Sequence, residues 1–269
     1  MEAELWYLLF YLAGRRGAKT MLVNARISDR SWKSYRRFAW FYRRIFGMID
    51  EVYAQSEADR ERLEALGAKR VVVTGNIKLA KPAEATKRYA KPPGIVVTAA
   101  STHEGEEEGI VRAFLRWRQR HPASKLLVVP RHPERFDKVY GLLAEAVGRE
   151  GPTLGRWSET RELKADIVLV DVMGELVNLY AVSDIVVLGG AFAPVGGHNP
   201  AEVLPFGCRL VSGREIFNQR AMFAAVDGAI FCDLPDLADA LHKAVDAEPL
   251  RLKQSVSVEP ILKGISDVV

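Results

Sequence analysis

The sequence predicts an α/β fold, a parallel sheet covered by helices. Short runs rich in Val, Ile and Leu alternate with longer amphipathic segments almost throughout. Gly, Ser, Asn or Pro often marks the change from one to the other. At 269 residues, 48% hydrophobic and 27% charged, the chain can bury a substantial core and fits one large or two modest domains. No apolar run approaches the roughly 20 residues that cross a bilayer. Cys208 and Cys232 are far apart, without a CxxC partner, and read as buried thiols. A net charge of +4 leans toward anionic partners without naming one.

The first strand is expected at residues 19–24 (KTMLVN), followed by a helix over 31–49 and a strand at 51–55 (EVYAQ). Ser56 is a capping residue for the next helix, which Gly67 ends, and residues 70–75 (RVVVTG) form a third strand. Within 26–44 lie seven Lys/Arg and one Asp, interleaved with six aromatic residues. On a helix Tyr35, Phe38, Phe41/Tyr42 and Ile45 share one side, flanked by Arg36, Arg37, Arg43 and Arg44. Such a helix suits an anionic membrane or a phosphorylated lipid, and equally a core helix with a solvated basic rim. No recognised nucleic-acid-binding motif accompanies the charge.

The alternation pauses at residues 78–93 (KLAKPAEATKRYAKPP), which are polar, basic and closed by two prolines. A partial first domain is therefore expected over 1–78, a linker over 79–93, a second domain over 94–254 and a C-terminal helix over 255–269. The second domain begins with a strand at 94–100, a helix over 104–120, a strand at 125–129, a helix over 134–147 and a strand at 166–170. A helix over 173–181, a strand at 184–188, a helix from Pro200 and a strand at 209–212 follow, with helix from Leu234 onward. Its βα units are complete, whereas three strands are few for the first domain's open sheet.

Four strand-to-helix loops of the second domain fall at the carboxyl ends of the strands, where open parallel sheets bind ligands. Ser101 and Thr102 offer hydroxyls and backbone donors to a phosphate, although Ser101 with Glu104 also has capping-box spacing. Arg131, between Pro130 and His132-Pro133, can grip a carboxylate or phosphate through two parallel hydrogen bonds, and the role of His132 stays open. Met173-Gly174 suits reading of a base edge, or simply a tight turn. Glu202, after Gly196-Gly197-His198-Asn199-Pro200, can accept hydrogen bonds from the vicinal hydroxyls of a ribose. Jointly these loops describe a nucleotide site with an arginine for an acid group.

The segments MEAELW, NARISDRS, ALGAKRVVVTGNIK, STHEGEEE, VPRHPERF, DVMGELVNLY and GGAFAPVGGHNPAE resemble, in order and spacing, the 3-deoxy-D-manno-octulosonic acid (Kdo) transferases of lipopolysaccharide synthesis. The resemblance runs from residue 1 to about residue 245. It implies a GT-B glycosyltransferase with two Rossmann-like domains, the first incomplete here. It further implies an inverting transfer of Kdo from CMP-Kdo to a phosphorylated lipid A precursor. The enzyme would sit peripherally on the cytoplasmic face of the inner membrane and need no cofactor and no metal. By the same resemblance, Arg131, Met173, Gly174, Glu175, Gly197, Asn199 and Glu202 belong to the donor site, with Ser101 and Thr102 beside the phosphate. Glu4 matches a carboxylate important for activity, and Lys78 a basic residue near the cleft.

Two departures stand out. The family's Gly-Ala-Ser-x-Gly-Glu loop, whose Glu is the proposed general base, has no match, and the rest of the first sheet is expected upstream of Met1. The family also usually has Pro after the Trp of EAELW, where this chain has Tyr7. Two further readings stay open: a GT-B enzyme for another nucleotide sugar, and a non-catalytic nucleotide- or lipid-binding remnant.

Overall fold

Runs of β-branched residues become strands and the segments between them helices, in two units. The computed structural model describes residues 5–148 and 151–266. The first unit comprises Met1–Lys81 with Gln254–Val269, and the second Pro82–Lys253. Its elements are α1 (Tyr7–Arg15), β1 (Met21–Ala25), α2 (Asp29–Arg37), α3 (Ala39–Phe46), β2 (Glu51–Ala54), α4 (Glu57–Ala65) and β3 (Val71–Val73). The strands pair in parallel in the order β1-β2-β3. Ile45, Phe46, Val52, Leu63 and Leu66 fill the core beneath them.

The helix expected over 31–49 is two helices. Ser28 caps α2 through the Ser31 N–H, and Phe38, at φ −108° and ψ 29°, separates α2 from α3. The break divides the expected apolar face. Ile45 is buried and Tyr35 stacks on Tyr42 at 4.3 Å, whereas Phe38, Trp40 and Phe41 are exposed. Helix α1 has no buried residue, and Trp6, Leu8 and Leu9 are each more than 60% exposed (61%, 63% and 61%).

The second unit contains β4 (Val96–Thr102), α5 (Glu107–Arg118), β5 (Lys125–Pro130), α6 (Phe136–Val147), β6 (Leu154–Arg156), α7 (Trp157–Thr160), β7 (Ile167–Leu169), α8 (Leu176–Tyr180) and β8 (Ile185–Leu188). There follow β9 (Arg209–Ser212), α9 (Arg220–Ala224), β10 (Val226–Asp227), β11 (Ala229–Phe231), α10 (Leu237–Val245) and β12 (Arg251–Leu252). Seven strands make one parallel sheet in the order β11-β9-β8-β4-β5-β7-β6. Phe114, Trp117, Leu126, Leu143 and Leu241 pack one face, and Leu127, Val168, Leu179 and Trp157 part of the other. Strands β5 to β7 lie to one side of β4, and β8, β9 and β11 to the other. The chain reverses direction across the sheet between β7 and β8, so a crevice opens where the loops after β4 and β8 part, the usual ligand position of an open α/β sheet.

Residues 82–93, expected within the linker, belong to the second unit. The Thr86 and Lys87 N–H groups donate to Asn178 Oδ1 (2.8 and 3.0 Å), and Lys91 pairs with Asp184 at 2.5 Å. The C-terminal helix α11 (Glu259–Ser266) lies in the first unit. Lys19 Nζ donates to Gly264 O at 2.8 Å, and Tyr53 Oη to Pro260 O at 3.0 Å. A Cβ on Gly264 would stand 2.3 Å from Tyr53 Oη, so a larger residue would have to displace that side chain. Among the described residues no helix is long and apolar enough to cross a membrane.

Candidate donor-binding site

The four turns singled out in the sequence come at the carboxyl ends of β4, β5, β7 and β8, around this switch point. At the end of β4 the pairing with β5 slips between Ala100 and Thr102, and Ser101 takes φ +52°. A non-glycine residue in that region is uncommon and is held there by its surroundings. The expected Ser101–Glu104 capping box does not form. Helix α5 starts at Glu107, Glu104 is exposed and pairs with Lys138, and one half of such a box forms two residues further along. Glu106 Oε2 now accepts from the His103 N–H at 2.9 Å.

Glu106 does more than cap. It is fully buried, and its oxygens also accept from the N–H groups of Gly190 (2.9 Å), Phe192 (3.0 Å) and Ala193 (3.2 Å) in the loop after β8. One carboxylate thus joins the two loops that border the crevice. Gly189 makes room for this, since a Cβ there would lie 2.6 Å from Ser101 O and 2.9 Å from Glu106 Oε2. A second link crosses the same gap, with His103 Nε2 and His198 Nε2 2.8 Å apart and the rings stacked. The His132 ring stands edge-on to His103 at 5.3 Å. Thr102 Oγ1 is buried with no hydrogen-bond partner among the described residues.

Arg131 follows β5, its N–H donating to Thr102 O at 3.0 Å, and its side chain is exposed. Arg135 is fastened to the buried Glu107 by two bonds of 2.6 and 3.1 Å. Glu202 keeps a solvent-exposed surface, yet enough protein surrounds its carboxyl to push it above the usual range, while the Arg131 guanidinium pulls it back. Crowding likewise holds His198 neutral, lowering it to about 4, with His103 and Arg131 adding to the effect. His103 is lowered for the same first reason.

These depressed histidines predict a pH response. An imidazole held neutral in the fold but titrating near 6.5 when unfolded favours unfolding as protons become available. Stability is therefore level above about pH 7 and falls as pH drops through 6.5 toward 4. Melting temperature read between pH 7.5 and 5 should fall, and His198→Gln should flatten part of that slope. An unaltered slope would mean the pair carries no proton linkage.

The loop after β7 places Met173, 57% exposed, beside Gly174 at φ +86°. The helix expected from 173 begins at Leu176. Glu175, assigned to the donor site by resemblance, is buried, and its carboxylate accepts from Lys87 Nζ, Tyr89 Oη (2.7 Å) and Asn178 Nδ2 (2.9 Å). These bonds hold it below the usual carboxylate range despite burial. Its side chain anchors the loop, and Met173 and Gly174 form the exposed part.

After β8, Gly190, Gly196 and Gly197 take φ of +71°, +107° and +80°, and the Gly197 N–H donates to Gly190 O at 2.7 Å. Asn199 Oδ1 accepts from the Ala201 N–H at 3.1 Å and caps a 3-10 turn, Pro200–Glu202. The α-helix expected from Pro200 is two such turns, the second at Leu204–Phe206 and ended by Gly207 at φ +67°. Pro205 lacks the N–H that an α-helix from Pro200 would need at its sixth residue.

Ser101 and Thr102, the last residues of β4, and Arg131, Gly174, Gly197, Asn199 and Glu202, in the segments after β5, β7 and β8, thus stand at one end of one sheet. Lys78 sits in a 3-10 turn, Ile77–Leu79, of the first unit, where Asn76 Oδ1 accepts its N–H. Arg36 and Arg37 close α2, and Arg43 and Arg44 lie in the last turn of α3. Glu4 lies outside the described residues. Among those described, no group of three or more His, Cys, Asp or Glu side chains is arranged to hold a metal ion.

The family model described as 3-deoxy-D-manno-octulosonic-acid transferase (kdotransferase) matches residues 1–81. The 3-deoxy-D-manno-octulosonic acid transferase of Haemophilus influenzae is 34% identical over 263 residues, 92% of this chain and 60% of that protein. Its namesake from Bordetella pertussis is 33% identical over 270 residues, 96% of this chain and 62% of that one. The chain thus spans about three fifths of the length of these relatives. Among solved structures, a UDP-N-acetylglucosamine 2-epimerase from Listeria monocytogenes, described as putative, aligns over 89% of this chain and 63% of its own, with a TM-score of 0.52. At 14% identity it shows the fold alone, two Rossmann-like units of the GT-B type. The C-terminal CMP-Kdo binding domain of WaaA from Acinetobacter baumannii aligns over 56% of this chain and 80% of that domain, with 30% identity and a TM-score of 0.50. Sequence motifs, the switch-point crevice and these likenesses agree: the chain belongs to the 3-deoxy-D-manno-octulosonic acid transferase family.

Proposed function

We propose that the second unit binds CMP-Kdo and that the protein transfers Kdo, with inversion, to a hydroxyl of a phosphorylated lipid A precursor at the cytoplasmic face of the inner membrane. The observation that supports this most is the placing of Arg131 and Glu202 across the crevice beside the Ser101–Thr102 turn, each within electrostatic reach of the other. Glu202 accepts hydrogen bonds from the two ribose hydroxyls. Gly174 and its neighbours offer main-chain groups to the cytosine edge, and Met173 an apolar surface to its face. Arg131 takes an anionic group of the donor through a forked pair of charge-assisted bonds. Helix N-termini and basic side chains stabilise the charge that grows on CMP as it leaves, and no metal is called on for this. Glu4 and Lys78 serve catalysis, as the resemblance implies.

Incubation with CMP-Kdo and a phosphorylated lipid A precursor, read by mass spectrometry, tests this. A Kdo-extended lipid supports the reading, whereas CMP binding without any transfer would favour a non-catalytic role. Melting temperature raised by UDP or GDP rather than CMP would favour a different nucleotide sugar.

The basic, aromatic surface of α2 and α3 serves the acceptor side in this proposal. Exposed Phe38, Trp40 and Phe41 lie among Arg36, Arg37, Arg43 and Arg44, and Tyr7 of α1 stacks on Phe41 at 6.4 Å. Each basic residue near an anionic surface contributes about 1 kcal/mol. Replacing the four arginines with glutamine should weaken co-sedimentation with phosphatidylglycerol vesicles by at least ~10-fold. Unchanged sedimentation would leave the segment a structural role only.

A further inference from the structure

A separate cavity of about 570 Å³ opens in the second unit. Pro92 and Pro93, just before β4, Lys125 at the start of β5, and Lys164 before β7 line it. It therefore lies toward the amino ends of these strands, whereas Arg131, Gly174 and Glu202 stand beyond the carboxyl ends of theirs. Its size is within the range of small-molecule sites. Tyr89 and Trp157, edge to face at 4.9 Å, and Leu163 supply an apolar wall.

The lining is strongly one-sided in charge. Lys91, Lys125, Arg161 and Lys164 face it against the single carboxylate of Glu162. Lys91 and Lys164 are already paired, with Asp184 and Glu162. The other two are not. Lys125 is buried, 9% exposed, and gives two of its three ammonium hydrogens to Lys164 O and Ala165 O at 2.6 and 3.0 Å. The Arg161 guanidinium makes no hydrogen bond or ion pair among the described residues, and its backbone is held at φ +53°, ending α7. A cavity with an aromatic wall and unneutralised cations suits a ligand with a flat apolar body and an anionic head.

The wall of this cavity is tied to both ends of the donor loop. Tyr89 Oη donates to Glu175 at 2.7 Å, next to Gly174. Ser158, beside Trp157, donates its N–H and Oγ to Asp171 at 2.8 and 2.7 Å. A ligand that shifts Tyr89 or Trp157 moves the anchors of loop 171–175.

We propose that this cavity is a second ligand site, which takes a phosphomonoester with a flat apolar body and whose occupancy is coupled to nucleotide binding at loop 171–175. The coupling rests on the donor-site reading above, whereas the site itself does not. The test is calorimetric titration of phenyl phosphate into the full chain held in excess CMP. One saturable event is expected, at least ~10-fold weaker for inorganic phosphate or phenol alone, and at least ~10-fold weaker in the Arg161→Gly/Lys164→Gln variant. Glycine accepts the left-handed backbone at 161, so this variant keeps the fold. Absence of saturable binding, indifference to the double substitution, or displacement by CMP at one-to-one stoichiometry would each overturn the site. The coupling predicts a change of at least ~5-fold in CMP affinity when phenyl phosphate saturates. An unchanged CMP affinity would overturn the coupling, and failure of CMP to bind at all would overturn the donor-site reading while the phenyl phosphate isotherm stayed interpretable.

Discussion

Glu106→Ala should destabilise the protein by about 3–5 kcal/mol, lowering its melting temperature by roughly 6–20 °C. The carboxylate accepts from four backbone N–H groups, those of His103, Gly190, Phe192 and Ala193, in a fully buried position. Each buried donor left without an acceptor costs about 1–3 kcal/mol, and water entering the vacated space recovers part of the sum. The loss is large against the total stability of a domain. Nucleotide binding should suffer as well, because the loops after β4 and β8 would no longer be joined. Glu106→Gln keeps one acceptor oxygen but turns an NH₂ group toward N–H donors, so it should rescue only part of the stability. Thermal and urea unfolding of both variants measure this. A melting temperature within 2 °C of the parent for Glu106→Ala, against the expected ~6–20 °C, would show that the loops are held by something else.

Glu202→Ala should have the opposite profile, with stability kept and CMP affinity reduced by at least ~100-fold. The Glu202 carboxylate makes no hydrogen bond or ion pair among the described residues, and burial already disfavours its charged form. Removing it therefore costs the fold little. Two charge-assisted bonds to ribose hydroxyls contribute about 1.5–3 kcal/mol each, and every 1.4 kcal/mol is tenfold in affinity. Arg131→Lys, which keeps the charge but not the fork, should weaken donor binding less than Arg131→Ala. Affinity within ~3-fold of the parent in Glu202→Ala would remove this carboxylate from the ribose role.

Much of this architecture could be read from the letters, because strand runs such as VVTAA and IVVL are local signals and their alternation with helices is regular. Loop positions after β4, β5, β7 and β8 followed directly from that alternation. Other features depended on distant partners. Strand β6, Leu154-Gly155-Arg156, has no apolar run of its own and forms because β7 offers an edge. The break at Phe38 and the replacement of an α-helix by 3-10 turns after Pro200 arise from local backbone choices that a helical pattern conceals.

The site shows the same division. Arg131 directly follows β5 and Glu202 lies in the long loop after β8, places that the alternation of strands and helices makes legible. The task of Glu106 was not legible, because three of its four partners come from residues 84 to 87 positions further along. The only local trace was a glutamate three residues after His103, the second half of a capping box, and Ser101–Glu104 presented a competing version of it. The hold of Lys87 and Tyr89 on Glu175 was hidden in a stretch whose prolines and charges read as a linker.

On the function proposed above, four loops at one end of the second sheet meet a single cytidylate. Crystals of the chain grown with CMP test it most directly. Density is expected for one nucleotide at the switch point beside β4 and β8, with the ribose hydroxyls on Glu202, the base against Met173-Gly174 and the phosphate near Ser101 and Arg131. A nucleotide bound elsewhere, or lying in the crevice without touching Glu202 and Arg131, would contradict it.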